Sequence, residues 1–578
     1  MVDFRLLLCQ LSSKDFLIVG KEMTQIPKTQ CAIQLVGADK LVFNKQKPVI
    51  APGPHQILCK VEAVGLCFSD LKLLKRFSSH VRKKPIVCGI EPEILEKIPS
   101  YVPADAPTVP GHEAVVRIQA VGAGVERFKP GQRYLVETDY RWLPTAGSNA
   151  TFGYNFEGAL QQYVLMDERI ITSPAGQSML IPADENISAS AIALVEPWAC
   201  VEHSYTAKQR RTIRTDGRTL IVARMPIPEG VLQKFFTRFG RPGSITWFCE
   251  NPPTMTDIPA VEAEDLADLE DGWFDDVIYF GCSARMLEAL FCKAAAGGLI
   301  NIVLCGGRFE KPVAAPVGRI HYSAIRIIGT GGFDPAEAMA RIPETGEIRS
   351  GDKINIIGAG GPMGMMHVIR NICHPAEPEA VFAAEIDENR LCYLSSIAEP
   401  LAEEFGVKYT QYNPACERMA NAFDYTALMA PVPQLIAQAL TDSADAAVIN
   451  IFAGIAAEVT AAIDMNAYIG KKIYFVGTSG SVLTDMQTVL EKTRAGLIDP
   501  NITVAAVSGL AGAVDGIRAI ENHSIPGKIV VYPSCRDLPL IRLDRLDEKL
   551  PTVAAHLGNG LWTKRAEQQL LQSCAGGI

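Results

Sequence analysis

The sequence predicts an α/β protein, with a β-rich N-terminal third followed by two tandem, doubly wound parallel sheets. Three observations carry this reading. Residues 353–364, KINIIGAGGPMG, run a short β-rich segment into four glycines and then into a helical pattern. Apolar runs alternate with helical patterns through residues 206–345 and again through 346–510, the rhythm of parallel sheets with helices between the strands. From Gln30 to about residue 205 the apolar segments are short and separated by turn residues instead.

The glycine stretch organises the chain. Strand, glycine loop and helix together bring backbone N–H groups and a helix N-terminus up to a pyrophosphate, and a Cβ there would hold the phosphates off. Gly358, Gly360, Gly361, Pro362, Met363 and Gly364 form the candidate cradle. Gly358, Gly360 and Gly364 carry one residue too many for GxGxxG, whereas Gly358, Gly361 and Gly364 read as an evenly spaced set. The next apolar run, AVFAA, ends in Glu385, roughly twenty residues on, where a carboxylate would take the ribose hydroxyls of NAD. That carboxylate favours NAD over NADP, and Arg390 either softens the preference or pairs with Glu388 or Asp387.

The 578 residues suit three or four domain-sized units, using about 150 residues per domain. We expect an extension over 1–22, a β-rich unit over 23–205, α/β units over 206–345 and 346–510, and a returning segment over 511–578. A hydrophobic content of 48% and a charged content of 21% describe an ordinary globular chain. The net charge of −9 and the lack of a long basic run argue against a nucleic-acid partner. The 15 cysteines are scattered with no CxxC pair, which predicts reduced thiols in the cytoplasm instead of a disulfide framework. The N-terminal apolar patch is too short to span a membrane and lacks secretory flanks, and Met23 is an alternative start. No membrane partner is expected.

The β-rich third holds most of the candidate metal ligands. Cys67 lies in VGLCFSDLK, His112 and Glu113 in VPGHEAVV, and Glu196 in ALVEPWACVEH. Thiolate, imidazole and carboxylate are ligand types of a catalytic zinc, which keeps a position open for substrate. Each also has a plain structural explanation: Cys67 as a buried thiol, His112 as a turn residue, Glu196 as a charge at a helix N-terminus. Sequence spacing alone imposes no geometry on the set.

The words VEAVGLCFSDLK, PGHEAVVRIQAVGAGVERFKPGQRY, GALQQYVLM and LVEPWACVEH, with GDKINIIGAGGPMG and PGKIVVYP much later, resemble the medium-chain dehydrogenase/reductase superfamily. The similarity covers about residues 30–205 and 345–535 and is greatest to its zinc-dependent polyol branch, of the sorbitol, threonine and sorbose-1-phosphate type. The resemblance implies a GroES-like catalytic domain with Rossmann-like sheets. It implies zinc on Cys67 and His112, with Glu113 and Glu196 in or beside its shell, and Ser69 passing the alcohol proton away from the metal. Ser69 read without the family is equally a helix N-cap before DLKLL. The family also implies a homo-oligomer, dimer or tetramer.

Three departures stand out. The segment between Lys72 and Gly111 is long and mixed in charge, forming either part of a substrate wall or a surface excursion. Lys72 stands where many relatives carry a relay histidine. Residues 134–158 lack the four cysteines of a structural zinc, so one zinc is expected and not two. The tandem α/β unit is a fourth peculiarity. After TLIVAR it has MPIPEG, whose two prolines cannot supply close amides to a pyrophosphate. Its Glu250 parallels Glu385, and its CGG and GTGG read as strand-end turns. We expect a structural copy, or one reused for subunit contacts or specificity. The tail after PGKIVVYP, with Trp562 and a leucine stripe, reads as core or interface.

These readings converge on a zinc-dependent, NAD(P)-linked oxidoreductase interconverting a secondary alcohol and ketone of a polyol, sugar or sugar phosphate. The alternative is a non-redox sugar-modifying enzyme, eliminating or epimerising through bound NAD as a transient oxidant. A catalytically silent interaction protein is a third reading.

Overall fold

The computed structural model describes residues 26–255, 257–420 and 422–576. The expected extension over 1–22 and the alternative start at Met23 lie outside them.

The β-rich third is built on an eight-stranded sheet whose central strand is Gln56–Gly65. This strand pairs antiparallel with Glu113–Val121 on one side and with Tyr163–Asp167 and Lys528–Val531 along the other. Val61, Ala63 and Val64 are fully buried, as a central strand requires. The chain returns to this sheet from its C-terminal part. Val504–Ser508 runs parallel to Lys528–Val531, and Ile541–Arg542 closes the edge. The expected boundary at 510 is therefore displaced. The second α/β sheet ends with Tyr474–Val476, and TVAAVSG, which reads like one more Rossmann strand, belongs to the catalytic sheet. A buried apolar strand carries no mark of which sheet it joins.

The two α/β units each form a six-stranded, all-parallel sheet. Counting strands within each unit, both have the order 3-2-1-4-5-6. The first unit runs from Arg218–Ala223 to Arg326–Thr330 and the second from Lys353–Ile357 to Tyr474–Val476. The fold is thus a GroES-like β-rich domain with tandem Rossmann-like sheets.

The units meet through a short strand that each places between its fifth and sixth sheet strands. Val313–Ala315 pairs antiparallel with Ala461–Ile463, centred on Ala314 opposite Ala462. A six-residue helix follows each: Val317–Tyr322 in one unit and Met465–Gly470 in the other. Equivalent strands pairing antiparallel about their midpoint make an internal two-fold, the geometry of an isologous contact within one chain. Asn466 closes one side, accepting from Phe309 N–H and donating to Phe309 C=O, both at 3.0 Å. Across the pseudo-axis Gly318 donates to Val459 C=O at 3.3 Å. A Cβ on Gly318 would lie 1.9 Å from Ala456 C=O.

Cys535 and Cys574 form a disulfide across 39 residues of sequence. This corrects the expectation of thiols throughout; the other described cysteines are free. Only the packing of the last helix, Lys564–Ala575, onto the turn after Lys528–Val531 brings the pair together, and spacing cannot reveal that. Among the described residues no helix is long and apolar enough to cross a membrane.

Candidate metal centre and nucleotide cleft

Strand register assembles the metal centre from residues far apart in sequence. Gly65 pairs with Glu113, so Cys67, just beyond one, and His112, just before the other, arrive at the same end of the sheet. Ligand atoms of Cys67, His112 and Glu113 all lie within 4.8 Å of one another. Gly65 has to be a glycine here, because a Cβ would sit 2.1 Å from Glu113 Oε2. Gly111 turns the chain into His112 with φ of +96°, a left-handed conformation that glycine adopts without strain.

Asp70, which the motif reading passed over, organises the group. Its Oδ2 accepts from Cys67 N–H at 3.0 Å, and its Oδ1 accepts from Gly111 N–H at 3.2 Å. Asp70 Oδ1 also lies 3.1 Å from His112 Nδ1, which leaves Nε2 free for a metal, the usual carboxylate–histidine arrangement. Burial alone would lower the imidazole's pKa. The Asp70 charge and hydrogen bond outweigh it and hold His112 well above its ordinary value. Cys67 is the N-cap of helix Phe68–Arg76, with Asp70 at its third position. Ser69 is therefore not the cap. Its Oγ stands 3.7 Å from Cys67 Sγ, half-buried beside the centre, while its carbonyl accepts from Tyr154 Oη at 3.3 Å.

Glu113 is split between two duties. Oε1 accepts from the buried Lys528 ammonium at 2.5 Å, and Lys528 also donates to Leu66 C=O at 2.8 Å. Oε2 is buried with no hydrogen-bond partner. A carboxylate with one orphaned oxygen, grouped with a thiol and an imidazole, fits a divalent cation. Glu196, expected in the same shell, is not part of the converging triple. It sits in the first turn of helix Val195–Thr206 with Oε1 3.7 Å from Cys200 Sγ. Burial raises its pKa and Glu113 adds to the rise, with His112 opposing. It stands beside the centre: the register sets Glu113 across from Gly65, two residues before Cys67, whereas Glu196 comes from a helix.

The long insertion after Lys72 turns part of its basic run inward. Lys83 is fully buried, donating to Val102 C=O and Ala106 C=O. Arg82 reaches Asp139 at 3.0 Å and lies 5.6 Å from the Tyr154 ring, whose neighbour is the His112 ring at 5.9 Å. Burial, followed by the charge of Asp139, pushes the nearby Glu137 carboxyl up to about 8. Arg82 and Lys83 sit in a basic run that reads as surface, so their burial was not legible.

The nucleotide cleft lies at the carboxyl end of the second sheet. Gly358 turns with φ of +82°, and a Cβ on Gly364 would meet Gly358 C=O at 2.3 Å. The middle glycine role is divided. Gly360 N–H donates to Glu385 Oε2 at 3.0 Å, and a Cβ there would lie 2.8 Å from Glu385 Cγ. Gly361 faces open space and caps helix Pro362–Ile372, with Pro362 at the first position and Met363 half-buried after it. Glu385 Oε1 accepts from Ile386 and Asp387 N–H at 2.9 and 3.2 Å, so the carboxylate is fixed at the end of its strand. Arg390 pairs with neither neighbouring acid. Asp387 caps its helix, Glu388 accepts from Asn413, and the guanidinium donates to His523 C=O at 3.3 Å. Open space over Gly361 beside the fixed Glu385 carboxylate fits a dinucleotide.

In the first unit Cys305 and Gly306 N–H donate to Gly332 and Gly331 C=O, which makes CGG and GTGG paired strand-end turns. The helix bearing Glu196 is locked to the helix that follows the glycine loop. Tyr205 Oη lies 2.7 Å from His367 Nδ1, and Arg370 pairs with Glu202 at 3.1 Å.

Residues 53–175 match the alcohol dehydrogenase GroES-like domain. The match is to this one domain, about a fifth of the chain. The chain is 33% identical over 143 residues to an alcohol dehydrogenase of Rhizobium meliloti, covering 22% of this chain and 34% of that protein. It is 26% identical over 200 residues to the sorbitol dehydrogenase of Halalkalibacterium halodurans, covering 32% and 47%. The human sorbitol dehydrogenase is 29% identical over 92 residues, 16% of this chain and 20% of that one. The chain therefore spans less than half the length of these curated relatives. The 2R,3R-butanediol dehydrogenase structure from Bacillus subtilis shares the fold, with a TM-score of 0.50 and 15% identity over 87% of this chain and 100% of that one.

Proposed function

We propose that this chain is a medium-chain dehydrogenase/reductase, a zinc-dependent, NAD-linked oxidoreductase that interconverts a secondary alcohol and ketone of a polyol, sugar or sugar phosphate. The observation that carries the reading is the convergence of Cys67, His112 and Glu113, a carboxylate whose Oε2 has no hydrogen-bond partner. Zinc would be held by these three with Glu196 alongside, supplying Lewis-acid polarisation, and NAD on the second sheet would supply the hydride acceptor.

The chain's own residues do the rest. Asp70 fixes the His112 tautomer and ties Cys67 to the same carboxylate. Lys528 neutralises one oxygen of Glu113 and leaves the other without a hydrogen-bond partner. Ser69 Oγ, 3.7 Å from Cys67 Sγ, accepts the substrate hydroxyl's proton and passes it outward. Glu385 orients the adenosine ribose, and its carboxylate disfavours a 2′-phosphate. The reading includes self-association into dimers or tetramers, as the superfamily implies.

Metal analysis together with reduced-nicotinamide absorbance tests it. Wild type is expected to carry one zinc per chain and to accumulate NADH with a polyol. Cys67→Ala is expected to lose the metal and at least about a hundredfold in rate, since several kcal/mol of charge stabilisation go with it. Substrate turnover without NADH accumulation would indicate the internal-redox reaction instead. Full metal retention in Cys67→Ala would contradict the site.

A further inference from the structure

The first α/β unit has no phosphate cradle, yet its helix Val317–Tyr322 ends at the catalytic cleft. The pairing of 313–315 with 461–463 carries this helix across to the second sheet. His321 anchors its end, with Nδ1 3.2 Å from Ile451 C=O at the close of the second sheet's fifth strand. At Gly454, just beyond that strand, a Cβ would lie 2.9 Å from Tyr322 Oη and 3.1 Å from Lys72 Nζ. Three regions meet over this glycine: the catalytic helix that starts at Cys67, the first α/β unit, and the carboxyl end of the nucleotide sheet.

The place on the sheet identifies which end of the cofactor is near. Glu385 closes the second strand, on one side of the central glycine loop. Gly454 follows the fifth strand, on the other side, so a dinucleotide laid across the loop with its adenosine ribose at Glu385 has its nicotinamide half toward Gly454. The two side chains there are available to a ligand. Among the described residues Lys72 has no carboxylate partner; its ammonium lies 5.8 Å from the Phe68 ring. Tyr322 is 44% exposed, with its ring edge-on to His321 at 4.6 Å.

We propose that Tyr322 and Lys72 form a hydroxyl-reading pair at the nicotinamide end of the cleft, so that the first α/β unit completes the binding site of the second. The pair takes vicinal hydroxyls, from a polyol substrate or from the nicotinamide-side ribose. An ammonium donates only, a phenol donates and accepts, and a diol satisfies both. This inference rests on the dehydrogenase reading above, and it gives the copy without a cradle a reason to contact the site.

Tyr322→Phe and Lys72→Met in the full-length, zinc-loaded chain test it by two readouts, NADH affinity from fluorescence and steady-state constants on the polyol that wild type oxidises fastest. Cyclohexanol, with one hydroxyl, is the control substrate. If the polyol is read, KM for it rises about tenfold in each variant, while kcat stays within about threefold and cyclohexanol is unaffected. If the ribose is read, the NADH dissociation constant rises about tenfold and the polyol KM measured at saturating cofactor does not. Phe keeps the ring and its contact with His321, so a merely structural Tyr322 would move neither constant. Unchanged constants in both variants, on an active wild type, overturn the inference and leave the dehydrogenase reading standing. A wild type that neither binds NADH nor oxidises any polyol overturns that reading and takes the inference with it.

Discussion

The two α/β units share one strand order and differ where a nucleotide would sit. In the second, residues 358–361 join the first strand to its helix, and Gly358, Gly360 and Gly364 each occupy a position where a side chain has no room or φ is positive. In the first, residues 224–230 make that connection, through two prolines. Arg224, the first residue after the strand, places its guanidinium 4.7 Å from the Phe248 ring. Glu385 is 7% exposed and bonded to the Gly360 amide, whereas Glu250 at the matching strand end is exposed. A doubly wound sheet is held by its buried apolar strands, and a phosphate cradle by a handful of residues at one turn. The second can be lost while the first persists.

The comparison can be sharpened at the paired acids. Glu385→Ala is expected to weaken NADH binding by about tenfold to a hundredfold, the range of a hydrogen bond to a charged group. Glu250→Ala is expected to leave it unchanged. Fluorescence titration of the two variants side by side checks this, and equal losses would erase the distinction between the units.

A smaller effect is expected at the seam. Gly318→Ala forces a methyl onto Ala456 C=O and should destabilise the chain by about 1–3 kcal/mol in denaturant unfolding. An unchanged midpoint would mean that the two units do not pack about the internal two-fold.

Much of this was legible in the sequence, for physical reasons that differ from residue to residue. The glycine turn and Glu385 were readable because their chemistry is local: strand, loop, helix and acid follow one another along the chain. Cys67, His112 and Glu113 were nameable from their ligand types as a possible site, and only the resemblance grouped them, since their approach depends on the register that pairs Gly65 with Glu113. Asp70 was overlooked although it lies within the same short motif, because a carboxylate in a helix's first turn has an ordinary capping explanation. Lys528 had one available signal, a lone cation inside the apolar strand KIVV, but its partner is 415 residues away. Arg82, Lys83 and Tyr322 were not legible: a basic run reads as surface until tertiary packing turns it inward, and only the fold brings an isolated tyrosine to Gly454.

Counting nucleotides tests the central claim most directly. Calorimetric titration of the zinc-loaded chain with NADH is expected to give one site per chain, and Gly364→Val, which pushes a side chain into the Gly358 carbonyl, is expected to give none. Two sites in the wild type, or one site surviving in Gly364→Val, would contradict the assignment of the cofactor to the second sheet.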